Sequence, residues 1–349
     1  MKSIIVKGIY KEYPVIIGHH LDNIIQECVD TSFNGRKVML VFDKNIPLET
    51  RNHLVSLIDS FVKVDTYEFP GGEHNKNLQN VEAILVSLLE KNYTRSDALI
   101  SVGGGITSDL VGTVAGLYKR GMRHANIATT TLAIADASVG GKCGVNLKGV
   151  KNAVGVFKDP EFVIADLEFL KSLDERQIRN GYFESVKMGI TLDRSLFEIF
   201  ERDHYEEAQE EILTKSIEAK AKIVAQDPTE KGIRRYLNFG HTMGHAIEST
   251  HLETMLHGES IALGMLYMID NNPALKERVK AVLIKMGLDL SVMDTFKAEE
   301  LLPYVASDKK AFNDSTSLNV AIVTVTDIEQ VQCQTASLSD IEERINQYE

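Results

Sequence analysis

Short apolar runs alternate with segments of helical periodicity in the first half of the chain. The runs at 37–42, 98–102 and 125–130 are of the buried-strand type, while 81–91 and 107–118 carry apolar residues at helical spacing. Parallel strands need a crossover helix between them. The alternation therefore predicts an α/β domain with a parallel sheet and ligands at the carboxyl ends of its strands.

The second half has a different character. Helical periodicity dominates it, in segments 176–193, 206–227, 241–250, 259–271 and 275–286, and one β-like stretch follows at 318–325. We therefore expect a dinucleotide-binding α/β domain over residues 1–170. A mainly α-helical metal- and substrate-binding domain is expected over residues 171–349.

Composition narrows the class of partner and the compartment. The 349 residues carry a net charge of −12, which argues against nucleic acid or an anionic membrane as a general partner. Three widely spaced cysteines form no disulfide framework, so a reducing cytoplasm is expected. The chain start lacks the features of a signal peptide, and no run approaches the ~20 apolar residues of a membrane span.

Three fragments of the second half contain metal-ligand chemistry. They supply the carboxylate of Glu184 and the imidazoles of His241, His245 and His257, a set that suits a borderline-soft divalent metal such as zinc. His241 and His245 are four residues apart and share one helix face. The Glu of an H-E-x-x-H protease helix is missing after His241. A metal beside basic residues suggests an anionic substrate.

A glycine-rich turn predicts a nucleotide site. Gly103–Asp109 lies between a predicted strand and a predicted helix, where glycines and free N–H groups favour a pyrophosphate. The pattern departs from G-x-G-x-x-G, so a plain tight turn is the alternative. Asp43, at a strand end, suits ribose hydroxyls and favours NAD over NADP, although a local turn also explains it. Residues 70–76 add a second glycine turn with polar side chains.

Basic residues cluster around a second glycine pair. Gly140 and Gly141 suggest a backbone bend that presents Lys142 inward, and lysine and arginine are the usual partners of phosphate and carboxylate. Lys148 and Lys151 are alternatively solvated loop charges.

Eight separated motifs occur in order along the chain. They are Gly103-Gly-Gly105-x3-Asp109, Tyr118-x-Arg120-Gly121, Asp136-x-Ser138-Val-Gly-Gly-Lys142, Lys151-Asn152, Glu184-x-x-Lys187, Asn238-x-Gly-His241-x3-His245, His257-Gly-Glu259 and Asp308-Lys-Lys310. This ordered set resembles the 3-dehydroquinate synthases, and the resemblance runs from about residue 37 to 312. The sixteen residues from His241 to His257 also match the family spacing.

The resemblance implies an NAD- and metal-dependent carbon–oxygen lyase of the shikimate pathway, in a cytoplasmic homodimer. Such an enzyme converts 3-deoxy-D-arabino-heptulosonate 7-phosphate to 3-dehydroquinate and phosphate. By resemblance, zinc or cobalt is held by Glu184, His241 and His257. The implied catalytic and substrate residues are Arg120, Asp136, Lys142, Lys151, Asn152, Lys187, Lys220, Arg234, Asn238, His245, Lys309 and Lys310. The implied NAD residues are Asp43, Asn45, Glu73, Lys76, Gly104, Gly105, Ile106, Asp109, Thr129, Thr130, Leu132, Lys142 and Lys151.

Individual roles stay open at this point. The resemblance places Arg120 against a substrate phosphate, often from the partner subunit. His245 is either a proton shuttle or phosphate partner, or a histidine that supports the metal ligands. Asp136 either orients Lys142 or water, or forms a structural ion pair.

The sequence departs from the family pattern at Ala128, Thr131, Asp174 and Gln177, where the family commonly has proline, leucine, proline and glutamate. The first two changes bear on NAD affinity. Two enzymes of other specificity are alternatives: a sister sugar-phosphate cyclase, and a metal-dependent polyol dehydrogenase, which usually has aspartate in place of Glu184. A binding module that has lost turnover is a non-enzymatic alternative.

Overall fold

A computed structural model describes residues 1–251, 254–307, 311–313 and 318–347 of the chain. The chain divides into two compact units, each with an inserted or returning segment. Unit 1 comprises Met1–Ile178 and Lys220–Thr229, and unit 2 comprises Arg179–Ala219 and Glu230–Glu349. The sequence carries no signal for the return of 220–229 to the first unit. The functional border at residue 170 stays a prediction.

A seven-stranded sheet forms the centre of unit 1, in the order β1-β2-β9-β6-β5-β3-β4. All neighbours in it are parallel except β1 and β2. The strands of unit 1 are β1 (Lys2–Lys7), β2 (Glu12–Gly18), β3 (Lys37–Asp43), β4 (Lys63–Phe69), β5 (Ala98–Gly103), β6 (Arg123–Ala128), β7 (Lys142–Leu147), β8 (Val150–Phe157) and β9 (Val163–Asp166). The predicted parallel α/β sheet is confirmed.

Helices cover both faces of this sheet. They are α1 (Asp22–Phe33), α2 (Leu48–Asp59), α3 (Leu78–Glu90) and α4 (Gly105–Leu117). Alternate residues of β3 point to opposite faces, as a strand requires. Val38 and Leu40 join a core with α1 and α2, whereas Met39 and Val41 join a core with α3 and α4. Burial on both faces explains why β3 reads as an unbroken apolar run.

The order of the strands creates a crevice between β3 and β5. From β3 the chain crosses through α2 to β4 on one side, and it then returns through α3 to β5 on the other side. Such a switch point leaves an opening at the carboxyl ends of the two strands, where open α/β sheets bind ligands. Asp43 ends β3 and Gly103 ends β5, so both border this opening.

Unit 2 is mainly helical. Its helices are α5 (Glu175–Thr191), α6 (Arg194–Glu201), α7 (Gln209–Gln226), α8 (His241–Thr250), α9 (His257–Tyr267), α10 (Pro273–Lys285), α11 (Ala298–Ser307) and α12 (Leu338–Asn346). The first residues of α5 and the last turns of α7 belong to unit 1. An antiparallel sheet joins β10 (Ala311–Asn313), β11 (Leu318–Asp327) and β12 (Gln330–Ser337). The predicted helical second half is confirmed. None of the helices in the described part of the chain has the length and apolar character that crossing a membrane requires.

Candidate metal centre and nucleotide site

Glycines allow helices α8 and α9 to pack with their backbones in contact. A Cβ atom on Gly264 would lie 2.1 Å from the carbonyl oxygen of Gly240, and one on Gly244 would lie 2.9 Å from the Cα of Ile261. Gly240 also has a φ of 76°, in the left-handed region that favours glycine. His241 and His257 are the first residues of the two helices. The close packing therefore brings two imidazoles from separate motifs together.

Helix α5 presents its polar residues to this point. Asn180, Glu184 and Lys187 follow one another at helical spacing, share one face and are all buried. The backbone N–H of Gly258, in the first turn of α9, donates to the Asn180 side-chain oxygen at 2.6 Å. This bond ties α5 to the start of α9 and sets Glu184 beside His257.

Glu184, His241 and His257 offer ligand atoms that all lie within 4.8 Å of one another. Oε1 of Glu184 is 3.7 Å from Nε2 of His241 and 3.5 Å from Nε2 of His257. Atoms bound ~2.0–2.2 Å from a tetrahedral zinc ion are roughly 3.3–3.6 Å apart. The set therefore fits zinc or a similar divalent ion, and three protein ligands leave a position for another oxygen.

The outer nitrogen of each imidazole has its own acceptor. Nδ1 of His241 lies 3.2 Å from the backbone oxygen of Phe239, and Nδ1 of His257 lies 3.1 Å from Oε2 of Glu248. An N–H at Nδ1 that donates to such an acceptor leaves Nε2 as the lone-pair nitrogen. In their neutral forms, both imidazoles then direct toward Glu184 an Nε2 lone pair that can bind a metal.

The ammonium of Lys187 and the protonation of His257 both affect this group of ligands. Lys187 donates to Oε2 of Glu184, the oxygen turned away from the histidines, and both side chains are only 1% exposed. Burial lowers the pKa of His257, but Glu184 and Glu248 raise it to about 10. A metal ion must therefore displace a proton from His257, as metal binding to a histidine generally requires.

The remaining predicted residues of unit 2 lie close to the metal ligands in the chain. The His245 ring centroid is 5.2 Å from that of His241 and 6.1 Å from that of His257, so three imidazoles cluster. Arg234 is buried in the turn Ile233–Asn238 that precedes α8. The Asn238 amide donates to Glu230 Oε1 at 2.6 Å. Lys309 and Lys310 lie outside the described residues.

In unit 1, the second glycine turn packs against the end of β3. A Cβ atom on Gly71, whose φ is 72°, would lie 2.8 Å from Oδ1 of Asp43 and 3.0 Å from the Asn45 amide nitrogen. The same Asp43 oxygen accepts from the Asn45 backbone N–H at 2.9 Å, and Thr107 donates to Oδ2 at 3.5 Å. The local turn that was the alternative for Asp43 is therefore present, and the role of Asp43 toward a ribose stays a prediction.

The first glycine turn starts helix α4 without a side chain in the way. A Cβ atom on Gly104 would meet Thr130 at 3.2 Å, and one on Gly105 would meet Ala137 at 2.6 Å. The Thr129 N–H donates to the Gly103 oxygen at 3.0 Å. The loop and the paired threonines thus form one surface at the N-terminus of α4, where N–H groups favour an anion. Ile106 and Leu132 are half-buried near it in the chain.

Lys76 joins the second glycine turn to the β7–β8 hairpin. Its ammonium donates to Asp109 at 2.5 Å and to the Asn152 oxygen at 2.7 Å. Asn146 of the hairpin donates to Glu73 Oε1 at 2.8 Å. Burial opposes the charge on Lys76, but Asp109 and Glu73 raise its pKa. The structure therefore brings predicted NAD residues and a predicted substrate residue into one hydrogen-bond network.

The basic strip around the second glycine pair differs in part from expectation. Gly140 and Gly141 have φ values of 104° and 67°, so the predicted bend is present. Lys142 is exposed, however, which corrects the expectation that the bend directs it inward. Asp136 pairs with Lys220 at 2.8 Å, so the structural ion pair that was one alternative for Asp136 is present.

Two further predicted residues lie on the surface of unit 1. Lys151 is half-buried on β8, and Arg120 is exposed with a left-handed φ of 65° in the turn before Gly121. Neither position assigns a ligand to these side chains.

Comparison with known proteins decides the family. The 3-dehydroquinate synthase N-terminal profile matches residues 66–180, and the 3-dehydroquinate synthase C-terminal profile matches residues 181–311. The chain belongs to the 3-dehydroquinate synthase family. The 3-dehydroquinate synthase of Clostridium tetani is 32% identical over 99% of this chain and 96% of its own length. That of Alkaliphilus metalliredigens is 38% identical over 78% of this chain and 80% of its own.

A solved structure shares the whole fold. 2-Deoxy-scyllo-inosose synthase, in a complex with carbaglucose-6-phosphate, NAD+ and Co2+, superimposes with a TM-score of 0.89 at 23% identity. The alignment covers 99% of this chain and 100% of that one. This chain and 2-deoxy-scyllo-inosose synthase therefore have the same fold.

The sequence analysis did not identify three residues that form hydrogen bonds with motif residues. Asn180 and Glu248 contact the start of α9 and His257, and Asn146 accepts the Asn152 N–H at 2.8 Å. Helical spacing could have found two of them, because Asn180 precedes Glu184 by four residues and Glu248 follows His241 by seven. No periodic pattern marks Asn146.

Proposed function

We propose that the chain converts 3-deoxy-D-arabino-heptulosonate 7-phosphate to 3-dehydroquinate and phosphate. The observation that carries the proposal is the convergence of Glu184, His241 and His257 in a chain that aligns along almost its full length with a 3-dehydroquinate synthase. The overall conversion involves no net redox change. It therefore suits a nucleotide that is reduced and reoxidised within one turnover.

Two groups supply chemistry that side chains lack. A divalent ion on Glu184, His241 and His257 would stabilise negative charge on substrate oxygens as a Lewis acid. NAD would serve as a transient hydride acceptor, for which the Asp43, Gly71 and Gly104 surface offers a ribose acceptor and a phosphate-binding turn. Glycine suits positions 71 and 104 of this surface, because a Cβ atom would lie 2.8 Å from Asp43 at the first and 3.2 Å from Thr130 at the second.

The residues of the chain then bind charge and hold protons. We assign cationic side chains to the substrate carboxylate and phosphate, namely those of Lys142, Lys151, Lys187, Lys220 and Arg234. His245 lies beside the two ligand histidines and is the residue we assign to hold the proton exchanged with the departing phosphate. Holding a flexible substrate in reactive positions supplies much of the rate.

Phosphate release tests this proposal. The purified chain with NAD and zinc or cobalt should release phosphate from the heptulosonate phosphate and form 3-dehydroquinate, identified by mass spectrometry. A chelator should abolish release, and added zinc or cobalt should restore it. His257→Asn should lose the activity, whereas His204→Gln, at an exposed histidine of unit 2, should keep it. Metal-loaded chain without any phosphate release would refute the proposal.

The alternatives give different products. A sister cyclase would prefer another six- or seven-carbon sugar phosphate in direct competition. A polyol dehydrogenase would accumulate NADH, which is detected by its absorbance. Glu184 argues against such an enzyme, because polyol dehydrogenases usually have aspartate at this position. A module without turnover would bind NAD and zinc and release no phosphate.

The proposal includes a homodimer and a cytoplasmic location. Sedimentation of the purified chain measures the first, and fractionation of the source cells measures the second. A monomer with full activity would remove the role assigned to Arg120 across a subunit boundary.

A further inference from the structure

We propose that Glu248 is a positioning residue for the metal: its carboxylate holds and polarises His257 and thereby sets the affinity of the metal centre. The inference rests on the proposed function only in taking Glu184, His241 and His257 as metal ligands. Nothing in the motifs assigns a role to Glu248.

The geometry places Glu248 on the ligand face of α8. His241, His245 and Glu248 occur at positions one, five and eight of that helix and therefore share a face. Glu248 is 7% exposed, and its Oε2 lies 3.1 Å from Nδ1 of His257. Helix α8 thus contributes one ligand directly and orients a second ligand that belongs to α9.

The two ligand histidines have different acceptors at Nδ1. His241 faces the neutral carbonyl of Phe239 at 3.2 Å, whereas His257 faces a carboxylate. A charged acceptor makes a stronger hydrogen bond than a neutral one and raises the basicity of the ring nitrogen opposite. His257 should therefore be the stronger of the two imidazole donors, and the difference should come from Glu248.

Because Glu248 is buried, its negative charge acts mainly on the groups next to it. A carboxylate removed from water is costly unless hydrogen bonds or opposite charge compensate it. A divalent ion bound by His257 would supply such compensation through the imidazole, and Glu248 would in turn favour retention of the ion. Loss of an outer carboxylate of this kind typically weakens metal affinity ~10- to 100-fold.

Zinc affinity is the decisive measurement. In Glu248→Gln the amide oxygen can still accept from Nδ1, so the shape stays and the charge goes. We expect its zinc dissociation constant, measured against a chromophoric chelator, to rise about 10-fold, and that of Glu248→Ala about 100-fold. The visible spectrum of the cobalt-loaded Glu248→Gln protein should shift in energy while its intensity stays, because the ligand number is unchanged.

A neighbouring carboxylate provides the matched control. Glu259 is 9% exposed, and its Oε2 accepts from the Leu256 N–H at 2.8 Å at the same helix start. Glu259→Gln keeps this capping bond and should leave the zinc dissociation constant unchanged. An equal loss in both variants would mean that any nearby carboxylate acts through its charge alone, and it would overturn the positioning role.

A second variant covers a failure of Glu248→Gln to fold, and the phosphate-release assay separates this inference from the proposed function. If Glu248→Gln does not fold, Glu248→Asp, which withdraws the carboxylate from Nδ1, takes its place and should lose affinity. Unchanged zinc affinity in a folded variant would overturn the inference, even if its unfolding temperature fell. If the wild-type chain releases no phosphate but Glu248→Gln still weakens zinc binding, the proposed function fails and the role of Glu248 stands.

Discussion

Replacing Lys187 by methionine should destabilise the metal-free chain by about 3 kcal/mol. The ammonium of Lys187 and the carboxylate of Glu184 are both 1% exposed, so solvent screens neither charge. Removing one partner of a buried ion pair typically costs ~3–5 kcal/mol because the other charge stays buried. We use the low end of this range because His257 partly compensates the remaining Glu184 charge. The pKa of His257 is raised to about 10, and its Nε2 lies 3.5 Å from the other Glu184 oxygen.

The effect of the same change on metal affinity should have the opposite sign. Lys187 is bound to the same carboxylate that would hold the metal, so the two cations compete for one negative charge. Lys187→Met should therefore lower the zinc dissociation constant, and saturating zinc should recover part of the lost stability, since a ligand that binds only the folded state stabilises it. The proposed activity should fall, because we propose that Lys187 also binds substrate charge.

Urea unfolding with a chelator present measures the first effect, and zinc competition measures the second. The matched control is Lys280→Met, because Lys280 pairs with Glu277 at the same helical spacing, 2.9 Å apart, but with side chains 32% and 70% exposed. Exposed pairs are worth under ~1 kcal/mol, so this variant should change little. If Lys187→Met lost no more than the control, or bound zinc more weakly than wild type, the reasoning would be refuted.

Three smaller changes test other parts of the structure. Gly71→Ala should weaken NAD binding measured by fluorescence, because its Cβ would lie 2.8 Å from Asp43, whereas Gly35→Ala has a similar φ of 70° with nothing within 4 Å and should only lose ~1 kcal/mol of stability. Burial lowers the pKa of His124 to about 3, so the folded chain binds fewer protons there than the unfolded chain below pH 6.5. The free energy of unfolding should therefore decrease as the pH is lowered from 7.5 to 5. In urea titrations, His124→Leu should make this decrease about 2 kcal/mol smaller. Thr131→Val removes a buried hydroxyl that donates at 2.9 Å to a carbonyl of α5, and it should cost ~1 kcal/mol in the same titrations. Unchanged NAD affinity in Gly71→Ala, unchanged pH dependence in His124→Leu, or unchanged stability in Thr131→Val would contradict the respective argument.

Most elements of the fold could be predicted because their apolar pattern is determined by burial. Strand β3 is covered on both faces, and helix α8 spans the residues that its periodicity indicates. The first and last residues of helices and strands depend on individual hydrogen bonds, which the apolar periodicity does not reveal. Helix α3 begins at Leu78 because the Asn77 side chain accepts the Asn80 N–H at 3.0 Å, three residues before the apolar pattern starts.

The β7–β8 hairpin was beyond sequence reasoning for a different reason. Much of β8 is exposed, so no buried face imposes an alternating apolar pattern on it. Its position follows instead from polar contacts with a distant segment, such as the Asn146 N–H that donates to the Lys76 oxygen at 2.8 Å. Residues 70 positions apart make this contact, and their separation gives no local signal.

The lysines show most clearly where motif reading stops. Lys76, Lys187 and Lys220 were expected to bind anionic ligands, and each is nearly buried: 5%, 1% and 5% exposed. Each already pairs with a carboxylate of its own unit, namely Asp109, Glu184 and Asp136. Burial without a counter-charge would drive a lysine toward its neutral form, which binds phosphate poorly.

The paired carboxylates therefore keep these lysines charged before any ligand arrives. A ligand then gains only the difference between its own interaction and the one it weakens, so these contacts contribute to selectivity and orientation more than to affinity. The partners lie 33, 3 and 84 residues away in the chain, so only the pair within helix α5 falls at a spacing that sequence analysis could have recognised.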